Sequence, residues 1–208
     1  HMDHSPAAAP LKAATGAPTY GFGPHGSGHV GGITYPDGPP RGADLDFRPD
    51  VALADGDIIE GTGWTLQAVH TPGHASNHLC FAYPEEATLF TGDHVMGWST
   101  SVISPPDGDM GTYLDSLHKL LRRHQDAVYW PTHGPAVTDP RPHVKALIDH
   151  RERREDAILG AIGKGRHTVA DITDHLYRAV PQGLRLAASR TVLSHLIHMV
   201  RTGRVACD

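Results

Sequence analysis

The sequence predicts a mixed α+β chain, a β-rich body followed by a smaller helical module. Three observations lead there. Strand-like runs crowd residues 51–90 between turn signals. Histidine and aspartate fall at turns directly beyond such runs, where side chains from neighbouring strands can converge. After Asp139-Pro140 the strand pattern gives way to amphipathic helices. The length of 208 residues suits one ordinary domain plus a small one, or a single large domain. With 39% hydrophobic and 20% charged residues, a packed core is expected.

The elements follow in order. Asp3-His4-Ser5-Pro6 opens a helix, with Ser5 as cap and Pro6 in the first turn, and Gly16 ends it. Pro18 to Phe22 reads as a short strand. Gly23 to Asp44 is a long Gly- and Pro-rich loop, of a length that is usually functional or mobile. Val51-Ala52-Leu53 and Asp57-Ile58-Ile59-Glu60 flank an Asp55-Gly56 turn. Trp64 to Val69 alternates, and His78 to Tyr83 is joined to Ala87 to Phe90 by a Pro84-Glu85-Glu86 turn. Leu114, Leu117, Leu120 and Leu121 recur at helical spacing over Tyr113 to His124, and Ala127 to Trp130 is a short buried strand. Beyond it, His143 to Ile162, a helix capped by Thr168, and Ser189 to Thr202 are helical. Gly203-Arg204-Val205 could begin a hairpin. Three helices and a terminal β piece suggest a winged-helix or helix-turn-helix module.

Bulk properties narrow the function classes. Net charge is −5, split as −9 over residues 1–150 and +4 over residues 151–208. The basic tail is modest and has no aromatic stacking set, so nucleic-acid binding is the weaker reading. Arg185, Arg190, Arg201 and Arg204 are its candidate phosphate contacts. No apolar run reaches membrane-spanning length, no signal peptide is evident, and Cys80 and Cys207 follow no disulfide framework. A reduced, cytoplasmic protein without a membrane partner is expected.

Seventeen histidines justify a search for metal ligands. Asp3-His4, His74 after Thr71-Pro72-Gly73, Asp93 after Thr91-Gly92, and His133 in Thr132-His133-Gly134-Pro135 all sit at turns. Each alone reads more simply as a cap or turn residue. Together they match the imidazole and carboxylate preference of zinc or iron, and a bridging carboxylate can hold two ions about 3.5–4 Å apart. His70 and His78 read as structural or supporting, and His25 and His29 as solvent-exposed loop residues. The Gly-rich loop lacks the Lys-Ser/Thr of a phosphate cradle. Ser99, Ser101 and Ser104 have no nearby base, so a serine nucleophile is not expected.

In this order the four motifs resemble those of the metallo-β-lactamase superfamily. His1-Met2-Asp3-His4 is similar to the last four residues of its His-x-His-x-Asp-His signature. Asp107-Gly108-Asp109-Met110, Tyr113 and Ser116-Leu117, with the helical tail, are similar to the β-lactamase-like-protein-2 group. The resemblance implies a partial αββα sandwich over residues 1–139 and a C-terminal winged-helix-like module over residues 140–208. It implies a zinc hydrolase, with one or two ions per chain and a metal-bound hydroxide attacking an ester, thioester, lactone or phosphodiester. Asp3, His4, Asp93 and His133 would hold one ion, and His74 and Asp93 would contribute to the other. Asp93 would bridge, and Asp3 would ligate and orient the nucleophile. His1 stands in register for the motif's second histidine, although His1-Met2 also reads as a cloning remnant before a start methionine; the family's first histidine lies beyond the chain, so the His74 site is expected to be incomplete. Strands that precede the motif in the family are absent, which predicts an exposed sheet edge and hence a homo-oligomer. Two other readings are an endoribonuclease acting on single-stranded RNA and an inactive truncated form serving as an oligomerising or DNA-binding module.

Overall fold

The computed structural model describes residues 1–29, 32–35 and 42–207. Part of the Gly23–Asp44 loop therefore lies outside the described residues. Five strands form the main sheet: β3 (Ile58–Gly61), β4 (Trp64–His70), β5 (Leu79–Tyr83), β6 (Thr88–Gly92) and β7 (Val128–Pro131), in that spatial order. The first three pairings are antiparallel, as short turns allow. The β6–β7 pairing is parallel, and its crossover carries helix α2 (Met110–Leu121). Strands β1 (Tyr20–Gly21) and β2 (Val51–Ala52) make a separate two-residue parallel pair.

This differs from the expectation at Asp55-Gly56. The flanking strands do not pair with each other: β2 joins β1, and β3 joins β4. Asp55 instead accepts the His70 amide and Lys119 Nζ, which ties the turn to the sheet end.

One sheet face is the core. Val69, Cys80, Ala82, Leu89 and Tyr129 alternate along their strands and pack on Tyr113, Leu117 and Leu120 of α2. Helix α3 (Pro140–Ile162) closes this layer with Val144, Leu147 and Ile148. On the other face Phe81, Phe90 and Trp130 form one cross-strand row in register, with Phe90 43% and Trp130 51% exposed.

Helix boundaries follow capping chemistry. Helix α2 begins three residues before Tyr113 because Asp109 accepts the Thr112 amide as N-cap. At the N-terminus, a short 3₁₀ turn at Ser5–Ala7 leads into α1 (Ala8–Thr15), which Gly16 ends in the left-handed region. Ser5 does not cap it; its hydroxyl donates to Asp44 and to the His1 carbonyl. Thr168 does cap α4 (Val169–Leu176) through the Asp171 amide.

A second core joins the last turns of α3 (Ile158, Ala161) to Ile172 of α4 and to Val192 and Met199 of α5 (Arg185–Arg201). The hairpin expected at Gly203 is not formed. The Gly203 amide bonds the Val200 carbonyl and the Arg204 amide bonds the Met199 carbonyl, so these residues close α5 as a Schellman cap. Among the described residues, no helix is long and apolar enough to cross a membrane.

Candidate metal centre

The Thr71-Pro72-Gly73-His74 turn leaves β4 and packs on the start of α2. Gly73 adopts φ +136°, and a Cβ there would fall 2.3 Å from the Tyr113 Cα. The Ser116 hydroxyl donates to the Pro72 carbonyl, and the Asp109 amide to that of Gly73. The turn is thus held from behind and His74 is presented beyond the sheet end. Asp93 follows β6 directly, and His133 follows β7.

The side chains singled out in the sequence come together. His4 Nε2 lies 3.1 Å from Asp93 Oδ2 and 3.3 Å from Asp3 Oδ2. His133 Nε2 lies 3.4 Å from Asp3 Oδ2 and 3.5 Å from Asp93 Oδ1. Asp3, His4, Asp93 and His133 form one cluster whose donor atoms all lie within 4.8 Å of one another. His74 Nε2 approaches Asp93 Oδ2 at 3.5 Å and His1 Nδ1 at 3.2 Å, so His1, His74 and Asp93 form a second cluster. Asp93 belongs to both, and His1 supplies the His74 group with a third donor.

These residues fit a metal ion. His74 Nδ1 is 2.7 Å from the Val102 carbonyl, which can only accept. The proton is therefore on Nδ1, and burial lowers the pKa of His74, keeping the ring neutral. Its Nε2 lone pair then faces the Asp93 carboxylate with no proton between them, an arrangement that a cation relieves. Burial disfavours the Asp93 carboxylate, yet the Thr132 hydroxyl bond and the His4 and His133 rings outweigh it and hold the pKa below the usual range.

Other groups fix the Asp93 loop. The Ser101 hydroxyl donates to the Asp93 and His94 carbonyls, so this serine positions the loop. Arg151 of α3, 2% exposed, donates to the Ser101 carbonyl at 2.5 Å and lies over the Tyr113 ring. The Tyr113 hydroxyl in turn donates to the His94 carbonyl. Nothing in the local sequence around Arg151 marks it, since its partners are 38 to 50 residues distant.

The loop histidines depart from expectation. His25 is largely buried, with Nε2 2.6 Å from the Tyr35 hydroxyl and Nδ1 3.8 Å from Asp107. His29 Nε2 lies 3.2 Å from Asp107. Buried Asp107 also receives the Ser76 amide, so it ties the Gly-rich loop to the His74 turn. His70 is structural, stacked on Phe22 and 2.9 Å from the Ser76 carbonyl. A cavity of about 400 Å³ opens beside the second cluster, bordered by His1, Phe22, His25, Asn77 and Phe81.

His78 and His94 lie behind the donors. Burial pushes His78 down to about 3 and His94 well below its ordinary value. Unfolded, each takes up a proton near pH 6.5. Stability from this source is complete above about pH 6.5 and is lost as pH falls, for His78 down to about pH 3. The metal-free protein is expected to lose about 1.4 kcal/mol per pH unit from His78 across roughly pH 6 to 4. Urea midpoints against pH measure it; a His78→Asn protein should give a shallower slope, and equal slopes would contradict the assignment.

The four tail arginines are engaged by protein groups. Arg185 pairs with Asp174, Arg190 reaches Ser104 and the Pro105 carbonyl, Arg201 pairs with Asp109, and Arg204 with Glu155 and Asp156.

The geometry has counterparts in known proteins. The profile of the metallo-beta-lactamase superfamily matches residues 1–133, and that of the beta-lactamase associated winged helix domain matches residues 168–208. An atrochrysone carboxyl ACP thioesterase of Aspergillus chevalieri is 29% identical over 177 residues, covering 81% of this chain and 54% of the relative. The lactamase-like protein adaB of Aspergillus niger is 37% identical over 150 residues, covering 68% of this chain and 45% of the relative. The chain spans about half the length of the curated relatives it matches. Among solved structures, a metallo-beta-lactamase family protein from Thermus thermophilus superposes with a TM-score of 0.67 at 27% identity, over 75% of this chain and 50% of that one. A beta-lactamase domain protein from Burkholderia ambifaria shares the fold, with a TM-score of 0.71 at 21% identity over 79% of this chain and 51% of that one.

Proposed function

Because the chain belongs to the metallo-beta-lactamase superfamily, we propose that it is a metal-dependent hydrolase of acyl thioesters, with zinc as its ion. The observation that carries this reading is the lone pair of His74 Nε2 facing Asp93, a carboxylate shared by two donor clusters. Asp3, His4, Asp93 and His133 would hold one ion, and His1, His74 and Asp93 a second. A bound ion would polarise the substrate carbonyl and lower the pKa of water held there.

The chain's own residues do the rest. Thr132 and Ser101 hold Asp93 in place through its side chain and its carbonyl. Asp3, within 3.4 Å of both His4 and His133 and open to solvent, would orient the attacking water and take its proton. The thioester class is taken from relatives named as ACP thioesterases. Leaving-group chemistry agrees with it. The two hydroxyls nearest Asp93 are already committed as donors. A thiol, with a pKa near 8.5, departs as its anion close to neutral pH without a delivered proton. The tail arginines, each spent on a protein partner, argue against a phosphodiester track.

Thiol release from an acyl-N-acetylcysteamine thioester tests the reading. Turnover is expected to vanish on chelation and to return with added zinc. Turnover that survives complete chelation sinks the metal role. Cleavage of single-stranded RNA or bis-p-nitrophenyl phosphate, with thioesters untouched, sinks the thioester reading.

A further inference from the structure

Residues 97–103 border the metal centre and are pinned to it along their length. At one end, the Gly97 amide donates to the His133 carbonyl at 2.9 Å. A Cβ on Gly97 would fall 2.1 Å from the Pro135 carbonyl oxygen, so the two backbones are in direct contact. In the middle, Ser101 donates to the Asp93 carbonyl and is held by Arg151. At the other end, the Val102 carbonyl accepts His74 Nδ1, and Ile103 is fully buried.

A segment anchored this firmly nonetheless leaves two apolar side chains in solvent. Trp98 is 71% exposed, its indole parallel to the His133 ring within 8° at 6.5 Å between centroids. Val102, whose backbone carbonyl accepts from His74, is 39% exposed. Neither lines the cavity beside His1. A large flat apolar surface on a rigid backbone, beside candidate ligands, marks a place for a flat apolar group.

We propose that Trp98 and Val102 form the acyl subsite of this centre, and that it takes flat, conjugated acyl groups. The acyl plane lies on the indole while the thioester carbonyl sits between the His133 and His74 sides. This rests on the thioesterase reading but makes a separate statement about binding.

The test uses a thioester mimic that cannot turn over, the amide of 2-naphthoic acid with N-acetylethylenediamine. Its affinity for the zinc-loaded protein is measured by calorimetry for wild type, Trp98→Ala and Trp98→Phe. Melting temperature and metal content check that each variant is intact. Loss of the indole face is expected to weaken binding about tenfold in Trp98→Ala, and phenyl replacement only about two- to threefold. Equal affinity of wild type and an intact Trp98→Ala protein would place the acyl group in the cavity lined by Phe22 and Phe81 and overturn the proposal. Failure of the amide to bind wild type overturns it too, while naphthoyl-thioester turnover in the same protein leaves the hydrolase reading standing. Trp98-dependent binding without any thioester turnover supports the subsite and removes the thioesterase reading instead.

Discussion

An Asp93→Ala protein is expected to lose metal from both donor clusters and to fall by roughly 10³-fold or more in hydrolytic rate, since a catalytic ion supplies several kcal/mol and each 1.36 kcal/mol is tenfold. The size of the effect follows from sharing. One carboxylate faces His4 and His74 through Oδ2 and His133 through Oδ1. His74→Ala would strip one donor from the second cluster and leave Asp3, His4, Asp93 and His133 in place. Asp93→Ala removes the only residue common to both clusters and leaves the Thr132 hydroxyl without its acceptor. Metal content after gel filtration, by mass spectrometry, should therefore drop further in Asp93→Ala than in His74→Ala. An Asp93→Ala protein that keeps the wild-type metal content and rate would show that the clusters are not the centre.

The second large effect is structural. Gly73→Ala is expected to destabilise the fold by about 3 kcal/mol or more, from strain at a left-handed φ and from overpacking, each worth about 1–3 kcal/mol. At φ +136° the new methyl would meet the Tyr113 backbone, 2.3 Å from Cα and 2.5 Å from N. Tyr113 cannot give way alone, because its ring is packed in the core and its hydroxyl holds the His94 carbonyl. Either α2 shifts or the turn does, and a shifted turn carries His74 away from Asp93. Urea unfolding of the metal-free protein reads the first effect, and zinc affinity reads the second. A stability loss under about 1 kcal/mol, the lower bound for either source of strain, with unchanged zinc affinity would mean that the turn has slack the packing denies it.

How much of this was legible in the chain depended on how local each signal is. Thr71-Pro72-Gly73-His74, Thr91-Gly92-Asp93 and Thr132-His133-Gly134 each join a strand end to a ligand-type side chain within a few residues, and the structure gathers those side chains with Asp3 and His4. The sheet strands and the α4 cap were likewise readable, because alternation and capping act over about four to eight residues. The failures were cases where a distant partner decided. Ser5 looks like a cap until Asp44 takes its hydroxyl. His25 and His29 look like loop residues until Asp107 engages them across about eighty positions. Asp55-Gly56 looks like a hairpin turn, but β2 found β1 instead. Gly203 is the exception: there the deciding partners, the Val200 and Met199 carbonyls, are local, and they close the helix where a hairpin is expected.

Arg151 joins parts of the molecule that the sequence keeps far apart. It lies on the helix whose first half completes the sheet core and whose last turns build the second core. One turn further, Glu155 meets His195 and Arg204 from α5 and the tail. The guanidinium thus ties the loop after Asp93 to the helix on which the C-terminal helices pack. Were an ion to order the Asp93 loop, any free energy passed along this path to the seat of α5 would be matched by an equal effect of α5 docking on the ion's affinity, because coupling between two sites is reciprocal.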